Sequence, residues 1–383
     1  MAASTAARAR STVAEVCRDG EEFGRLATEW AGLYARCRAA TPFQSHAWLH
    51  SWWSAYGVPG ALRVFLVRDA VDGQLVGAAP LMLRRGPLPV LTPLGGAISD
   101  YGDVLLDDSR PEAAAALAAV LAGAARTALI DLREVRPGAA AERVYASWRG
   151  PRRRLDDSVC LELPAVAMDV LLTRMPSAKA AQRARAKLRK LDALGIEERS
   201  VPGEDVPAAL ARLLALHRRQ WEGRGVTAEH TNERFARHLT RAVQPMVASG
   251  NARVTEFRLG GEVVAVDLTL LSPSLAGGYL YGADPGLRER KVDVATMLLR
   301  HGAREADAGG RTTLSLLRGT EPYKHHWRPE TVGNRRLLLA RRRTAPLLLL
   351  RAAAVGARRL AAEQVRRRAW AGRLLGKRNG GGG

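Results

Sequence analysis

Residues 253–271, R-V-T-E-F-R-L-G-G-E-V-V-A-V-D-L-T-L-L, read as a strand, a glycine turn and a second strand. Residues 63–83, R-V-F-L-V-R-D-A-V-D-G-Q-L-V-G-A-A-P-L-M-L, read the same way, with Gly73-Gln74-Leu75-Val76 answering Gly261-Glu262-Val263-Val264. The first hairpin is followed by an extended segment, Val90 to Leu106, an Ala-rich helix from about Pro111 to Arg126, and a strand near Ala128 to Leu132. The second is followed by Gly278 to Tyr281, a helix from about Val292 to Ala308, and a strand over Thr312 to Leu317. Each half therefore reads β-β-β-α-β. Helices precede the hairpins at Glu21 to Arg38, and at Val206 to Trp221 and Asn232 to Ala248. Two copies of one unit predict an α/β protein of mixed sheets flanked by helices, joined near Arg149 to Leu163. The expected division is 1–150, 151–343 and a basic helical tail over 344–383.

With 383 residues and 47% hydrophobic content the chain can bury a large core. Cys17, Cys37 and Cys160 have neither metal-ligand spacing nor an even count, which argues against a zinc site or a disulfide framework and for a reducing, cytoplasmic setting. Met1 to Arg10 lack the apolar core of a secretory signal, and Arg351 interrupts the best apolar run, Pro346 to Val355, so no membrane span is expected. The net charge of +21 is unevenly spread. Arg335 to Arg378 hold 14 Lys and Arg against the single acid Glu363, which is about +13 of that total. Between Leu347 and Leu375, Leu, Ala and Val alternate with Arg pairs such as Arg358-Arg359 and the run Arg366 to Arg368. That pattern suits a basic amphipathic helix on an anionic membrane surface at the inner face, or a solvated basic tail. Asn379 to Gly383 read as a glycine-rich end. A second basic cluster, S-A-K-A-A-Q-R-A-R-A-K-L-R-K-L from Ser177, predicts a helix capped by Ser177 and stopped by Gly195. Its cations meet no acid before Asp192, so a bound anion would relieve their repulsion; a solvated face is the plainer account.

The densest chemistry lies in Leu317 to Trp327, L-R-G-T-E-P-Y-K-H-H-W, at the end of the last strand of the second repeat. A chain with 5% aromatic residues places there a guanidinium, a carboxylate, a phenol, an ammonium, two imidazoles and an indole. Polar groups gathered at a strand end mark a site. The loop Ser99 to Asp103, with Asp100 and Tyr101, reads either as a pocket-lining loop or as an Asx-turn. Tyr281 and Asp284 end the third strand of the second half. Asp267, inside an apolar strand, must be paired or functional if buried. His217, His230 and His238 lack metal spacing and read as surface residues, and Trp48, Trp52 and Trp53 as the core face of a helix. No helix-turn-helix or zinc-finger pattern supports a DNA-binding role.

Taken with T-P-F-Q-S-H-A-W-L-H-S-W-W from Thr41, L-H-R-R-Q-W-E-G-R-G from Leu216 and Y-L-Y-G-A-D-P from Tyr279, these segments resemble the CelD-type acetyltransferases associated with cellulose and exopolysaccharide synthesis, and their Fem-type relatives. The resemblance spans roughly Phe43 to Leu339 and implies tandem GNAT-like (acyl-CoA N-acyltransferase) units. It departs at Ser315, where such proteins often carry an Asp just ahead of Leu-Arg-Gly. It implies transfer of an acetyl or other acyl group from acetyl-coenzyme A to an amine or hydroxyl on a small molecule or saccharide, without a metal. The Fem-type likeness gives Lys324 the stabilisation of the developing oxyanion, with Glu321 as candidate base and Tyr323 as candidate acid. Arg318, Tyr281, Asp284, Asp100, Tyr101 and Trp327 would line the acceptor site. The plainer alternative pairs Arg318 with Glu321 and packs Tyr323 and Trp327 between the halves. Family members cradle the coenzyme pyrophosphate on a glycine-rich turn; here G-L-R-E-R-K-V, from Gly286, has one glycine and offers Arg288, Arg290 and Lys291 instead. A Fem-like use of aminoacyl-tRNA, through basic surface contacts, and a non-catalytic binding protein are the alternatives.

Overall fold

The computed structural model describes residues 11–221, 228–358, 360–361 and 364. The first half runs β1 (Thr12–Cys17), α1 (Gly20–Arg25), α2 (Ala27–Arg36), α3 (His46–Tyr56), β2 (Leu62–Asp69), β3 (Leu75–Arg84), β4 (Val90–Pro93), β5 (Leu105–Leu106), α4 (Ala113–Ala124), β6 (Leu129–Val135) and α5 (Ala140–Ser147). β7 (Arg152–Pro164) crosses into the second half, which continues α6 (Met168–Thr173), α7 (Ala178–Ala193), β8 (Glu197–Ser200), α8 (Val206–Trp221), α9 (Glu233–Ala248), β9 (Ala252–Leu259) and β10 (Glu262–Leu271). β11 (Leu275–Ala283), α10 (Gly286–Glu289), α11 (Val294–Ala308), β12 (Thr313–Arg318) and β13 (Glu330–Leu339) complete it. A further helix covers residues 345–358. The Arg366 to Arg368 run of the expected basic tail helix lies outside the described residues, as do residues 222–225 of the L-H-R-R-Q-W-E-G-R-G segment.

The two predicted hairpins are β2–β3 and β9–β10, and each half has one parallel strand pair, β4 with β6 and β11 with β12. All strands belong to one mixed sheet in the order β1-β2-β3-β4-β6-β13-β7-β12-β11-β10-β9-β8, with β5 beside β3. The centre of that order is an exchange. β7, which follows the first half, pairs with β12 of the second, while β13, the last strand, pairs with β6 of the first. β7 and β13 pair with each other along nearly their whole length, so the sheet passes unbroken from one half to the other. Buried side chains on both faces, from Trp30, Trp48 and Phe43 to Phe235, Leu213 and Val266, form one large cluster under α2, α3, α8 and α9. α3 buries Trp48 and Trp52, while Trp53, expected on the same core face, is only partly buried, and Trp48 meets His238 of α9 edge to face at 4.4 Å.

Local chemistry sets the element ends. Asp19 caps α1, Ser45 caps α3, Ser177 caps α7, Asn232 caps α9 and Asp293 caps α11, each side chain accepting an otherwise orphaned helix N–H. α8 lies against β11 at Gly282, where an added Cβ would fall 2.3 Å from the Leu213 carbonyl oxygen. That close approach brings the end of α8 to the site.

Candidate active site

β11 and β12 run in parallel only from Leu275/Thr313 to Gly277/Ser315. Just beyond, both strands bulge. On β11, Tyr279 is the extra residue, because Leu268 faces Leu280 while Thr269 faces Gly278. On β12, Ser315 faces Glu162 while Arg318 faces Cys160, so Leu316 and Leu317 of β12 oppose the single Leu161 of β7. The second bulge is held by backbone in the left-handed region, Leu317 at φ 58° and Gly319 at φ 110°. Two bulges side by side force the strands apart. A cavity of about 660 Å³ opens between them, walled by α11 through Ala295, Leu298, Leu299 and Gly302 and closed by the first half through Ala97, Ile98 and Asp100.

Arg318 is the clamp between the halves. Its Nε donates to Asp100 Oδ1 at 2.5 Å, Nη1 to Glu134 at 3.2 Å, and Nη2 to the Ala97 carbonyl. Burial pushes the Asp100 carboxyl up from its ordinary range, and Arg318 offsets only part of the rise. The loop Ser99 to Asp103 is thus tied at every polar residue. Ser99 accepts from the Trp48 indole at 2.8 Å, and Asp103 caps α5 through Ala140 and Ala141 at 2.9 and 2.7 Å.

Lys324, almost fully buried, donates to the Arg318 carbonyl at 2.9 Å and pairs with Glu321 at 2.8 Å. An ammonium has three N–H donors, so one remains for the cavity. Glu321 is half exposed, and its partner is Lys324, not Arg318. Lys324, Glu321, Tyr323, Arg318, Tyr281, Asp100 and Trp327 all line the one cavity. Tyr323 is exposed on its outer side; burial of the rest, then the nearby Tyr281 and Glu321, hold its phenol above the ordinary range. Tyr101 does not line the cavity. It stands one step behind, its hydroxyl 2.8 Å from Ser315 and donating to Glu162 at 3.0 Å, while Arg136 grips both oxygens of Glu162.

Ser315, at the position where the resemblance expects an acid, is fully buried and completes this chain: it donates to Tyr101, whose own proton goes to Glu162, and accepts from the Leu317 N–H at 3.1 Å. Ser315→Ala is expected to cost about 1–2 kcal/mol, because two buried groups lose a partner at the bulge. Urea unfolding checks this, and an unchanged midpoint would mean the chain of hydrogen bonds carries no stability.

Asp284, Arg288, Arg290 and Lys291 are not part of the cavity wall. Asp284 accepts from Gly286 N at 2.8 Å and faces Arg219 at 3.4 Å, and the three cations stand exposed on the turn after β11. Asp293, which opens α11, already fills the helix's own cap, accepting from Thr296 N at 2.8 Å and pairing with Lys187 of α7 at 2.5 Å. The splayed edge of β11 is also taken. His217 holds the Tyr281 carbonyl at 2.7 Å and Gln220 accepts from Ala283 N at 3.1 Å.

The histidines correct the sequence reading. None of the three is a surface residue: His238 is 0% and His217 7% exposed, and His230 is half-buried against Phe235. His217 and His230 line the cavity with Glu229, which accepts from the Tyr56 hydroxyl at 2.5 Å. A carbonyl can only accept, so Nδ1 of His217 carries a proton toward Tyr281. Its Nε2 then receives Nδ1–H of His230 at 3.2 Å, which leaves the lone pair of this dyad on Nε2 of His230. Burial lowers the pKa of both rings, so both are neutral at pH 7. In the sequence the signal was only a helix-spaced His217 and Gln220 at the end of α8. Asp267, buried at the cavity wall, accepts from Thr269 at 2.6 Å and lies near His301 of α11, which pairs with Glu198 at 2.8 Å. Among the described residues no group of three or more His, Cys, Asp or Glu is placed to hold a metal.

The comparisons with known proteins agree with this geometry at the level of class. Residues 178–325, which include α7, the splayed strands and Lys324, match the acetyltransferase (GNAT) domain family, and the fold is GNAT-like. No curated protein matches the chain. Among solved structures, FemX is 13% identical, with a TM-score of 0.59 over 89% of this chain and 99% of its own. A conserved protein of unknown function from Bacteroides thetaiotaomicron VPI-5482 is 13% identical, with a TM-score of 0.57 over 86% and 100%. The C-terminal domain of a putative lysylphosphatidylglycerol synthetase from Agrobacterium fabrum is 13% identical, with a TM-score of 0.51 over 88% and 97%. At such identities the likeness is one of fold.

Proposed function

We propose that the chain transfers an acyl group, with acetyl-coenzyme A as donor, to an amine or hydroxyl acceptor bound in the cavity between the halves. The observation that carries this reading is the convergence of Lys324, Arg318 and the His217–His230 dyad on one cavity at the parted strands β11 and β12. The acceptor nitrogen or oxygen attacks the thioester carbonyl carbon, and its proton passes to Nε2 of His230. The oxyanion takes the remaining N–H of Lys324, the carbon–sulfur bond breaks, and Tyr323, whose raised phenol keeps its proton, hydrogen-bonds the departing sulfur. Glu321, the base expected from the sequence, is poorly suited to that task, since protonating it would strip Lys324 of its counter-charge. Arg288, Arg290 and Lys291 on the outer turn are free to meet the donor's phosphates from solvent. The CelD-type resemblance favours a saccharide acceptor of cell-envelope or exopolysaccharide synthesis.

A second reading, an aminoacyl-tRNA donor in the Fem manner, is favoured by the filled edge of β11 and the Asp293 cap, which leave few backbone groups for a pantetheine arm and pyrophosphate. Calorimetry with acetyl-coenzyme A separates the two: no binding at millimolar ligand, together with salt-sensitive tRNA binding, would transfer the assignment to the second.

The pH dependence follows from the dyad. A lowered imidazole pKa keeps the base form available below the ordinary 6.5, so kcat/KM for thiol release should hold its plateau down into mildly acid pH and then fall. His230→Gln should lose about 10²-fold and flatten that acid limb. If the limb survives in the variant, His230 is not the base.

A further inference from the structure

The helix over 345–358 is apolar on both faces. Its inner face is seated by Leu348 against Val90, Leu129, Leu338 and Ala340 of the sheet, with Leu347 and Ala352 beside it. Its only polar side chain between Thr344 and Arg358 is Arg351, and that is turned inward to Asp131 at 3.0 Å, where Arg336 also binds. The outer face carries Leu349 at 60% and Leu350 at 57% exposure, and Leu360 lies at 63% just beyond. Pro346, Ala353, Ala354 and Ala357 are exposed with them. A surface helix normally turns charge outward, and an all-apolar helix is normally buried. This one is half-covered, so something else covers the rest.

The surroundings identify the cover by charge. From Arg341 to Arg358 there are five arginines and no acid. Arg342, Arg343 and Arg358 are exposed at the two ends of the leucine face. Arg153 of β7, exposed too, stands directly across the ladder from Leu338 and therefore on the sheet face that the helix covers. A second copy of the chain would bring this uncompensated positive rim against itself. A surface both apolar to a shallow depth and negatively charged matches it, and that is an anionic bilayer. No described helix is long and apolar enough to cross a membrane, so the contact lies in the plane of the headgroups.

We propose that the outer face of this helix, Leu349, Leu350 and Leu360 rimmed by Arg342, Arg343, Arg358 and Arg153, docks the protein on an anionic lipid surface. The inference stands apart from the acyl-transfer reading and is tested without substrate. The full chain is floated with vesicles of phosphatidylcholine alone and of phosphatidylcholine mixed with phosphatidylglycerol. Binding is expected to the mixed vesicles only and to weaken with salt. Leu349→Glu with Leu350→Glu, both exposed and so neutral for folding, should reduce it at least tenfold with an unchanged melting temperature. Arg342→Gln with Arg343→Gln should reduce it by about fivefold per arginine. Equal binding to neutral vesicles, no binding to mixed ones, or undiminished binding by the leucine variant overturns the proposal. So does a wild-type dimer in sedimentation that the leucine variant dissolves, because the face would then belong to a second copy.

Discussion

Replacing Lys324 by Met should lower kcat/KM for acyl transfer about 10²–10³-fold, the usual loss when one aimed donor to a developing oxyanion is removed. The argument rests on donor count. The ammonium gives one N–H to the Arg318 carbonyl and one to Glu321, and both partners fix the direction of the third. Methionine keeps the length of the side chain but offers no proton. Glu321 loses its counter-charge without harm, since it is half exposed and can turn to water. The loss should therefore fall on kcat, with KM for acetyl-coenzyme A nearly unchanged and the urea midpoint lowered by little. A Lys324→Arg variant should recover part of the rate. If Met retains more than a tenth of the wild-type rate, or if rate and stability fall together and Arg restores neither, Lys324 merely holds the loop.

Which features were legible beforehand follows from the range over which each is encoded. Both hairpins and the helix–strand pair after each are written locally, in period-two runs and glycine turns, and they appeared where expected, as did the helix capped by Ser177. The exchange of β7 and β13 was not legible. Residues 152–164 open with three Arg and two Asp, and residues 330–339 carry Arg335 and Arg336, charges that lie at the mid-sheet seam, where Arg336 meets Asp131 of β6. That pairing is set by tertiary contact and leaves no periodic trace. The bulges at Tyr279 and Leu317 were hidden for the same reason, since a bulge is defined by the partner strand. The cluster at the end of β12 was visible as composition, but its partners were not. Arg318 finds Asp100 and Glu134 some two hundred residues earlier, and His217 becomes a site residue only when Gly282 lets α8 close on β11.

Arg318 gives the second large effect, this time on stability. Arg318→Met removes the guanidinium that bonds both carboxylates, Asp100 and Glu134, and leaves them nearly buried with only the neutral Asn334 amide, which donates to the Asp100 carbonyl and to Glu134, still joining the two residues. Breaking such a pair by deleting one partner costs about 3–5 kcal/mol. Lysine should rescue little, because one ammonium cannot span Asp100, Glu134 and the Ala97 carbonyl as the planar fork does. The pH dependence fixes the mechanism. Burial already raises the Asp100 carboxyl in the presence of Arg318, so in the folded state it binds its proton more tightly than in the unfolded chain. A raised carboxyl contributes stability that is present at low pH and lost as pH climbs through the folded value. Without the guanidinium the folded value rises further, and the ionised form costs more. The gap between wild type and Arg318→Met in urea unfolding should therefore be small at about pH 4 and widen toward about pH 8. A gap that stays constant with pH would show that Arg318 contributes packing rather than charge, and that the joint between the halves at the mouth of the cavity is held by neutral contacts such as the Asn334 amide on Asp100 and Glu134.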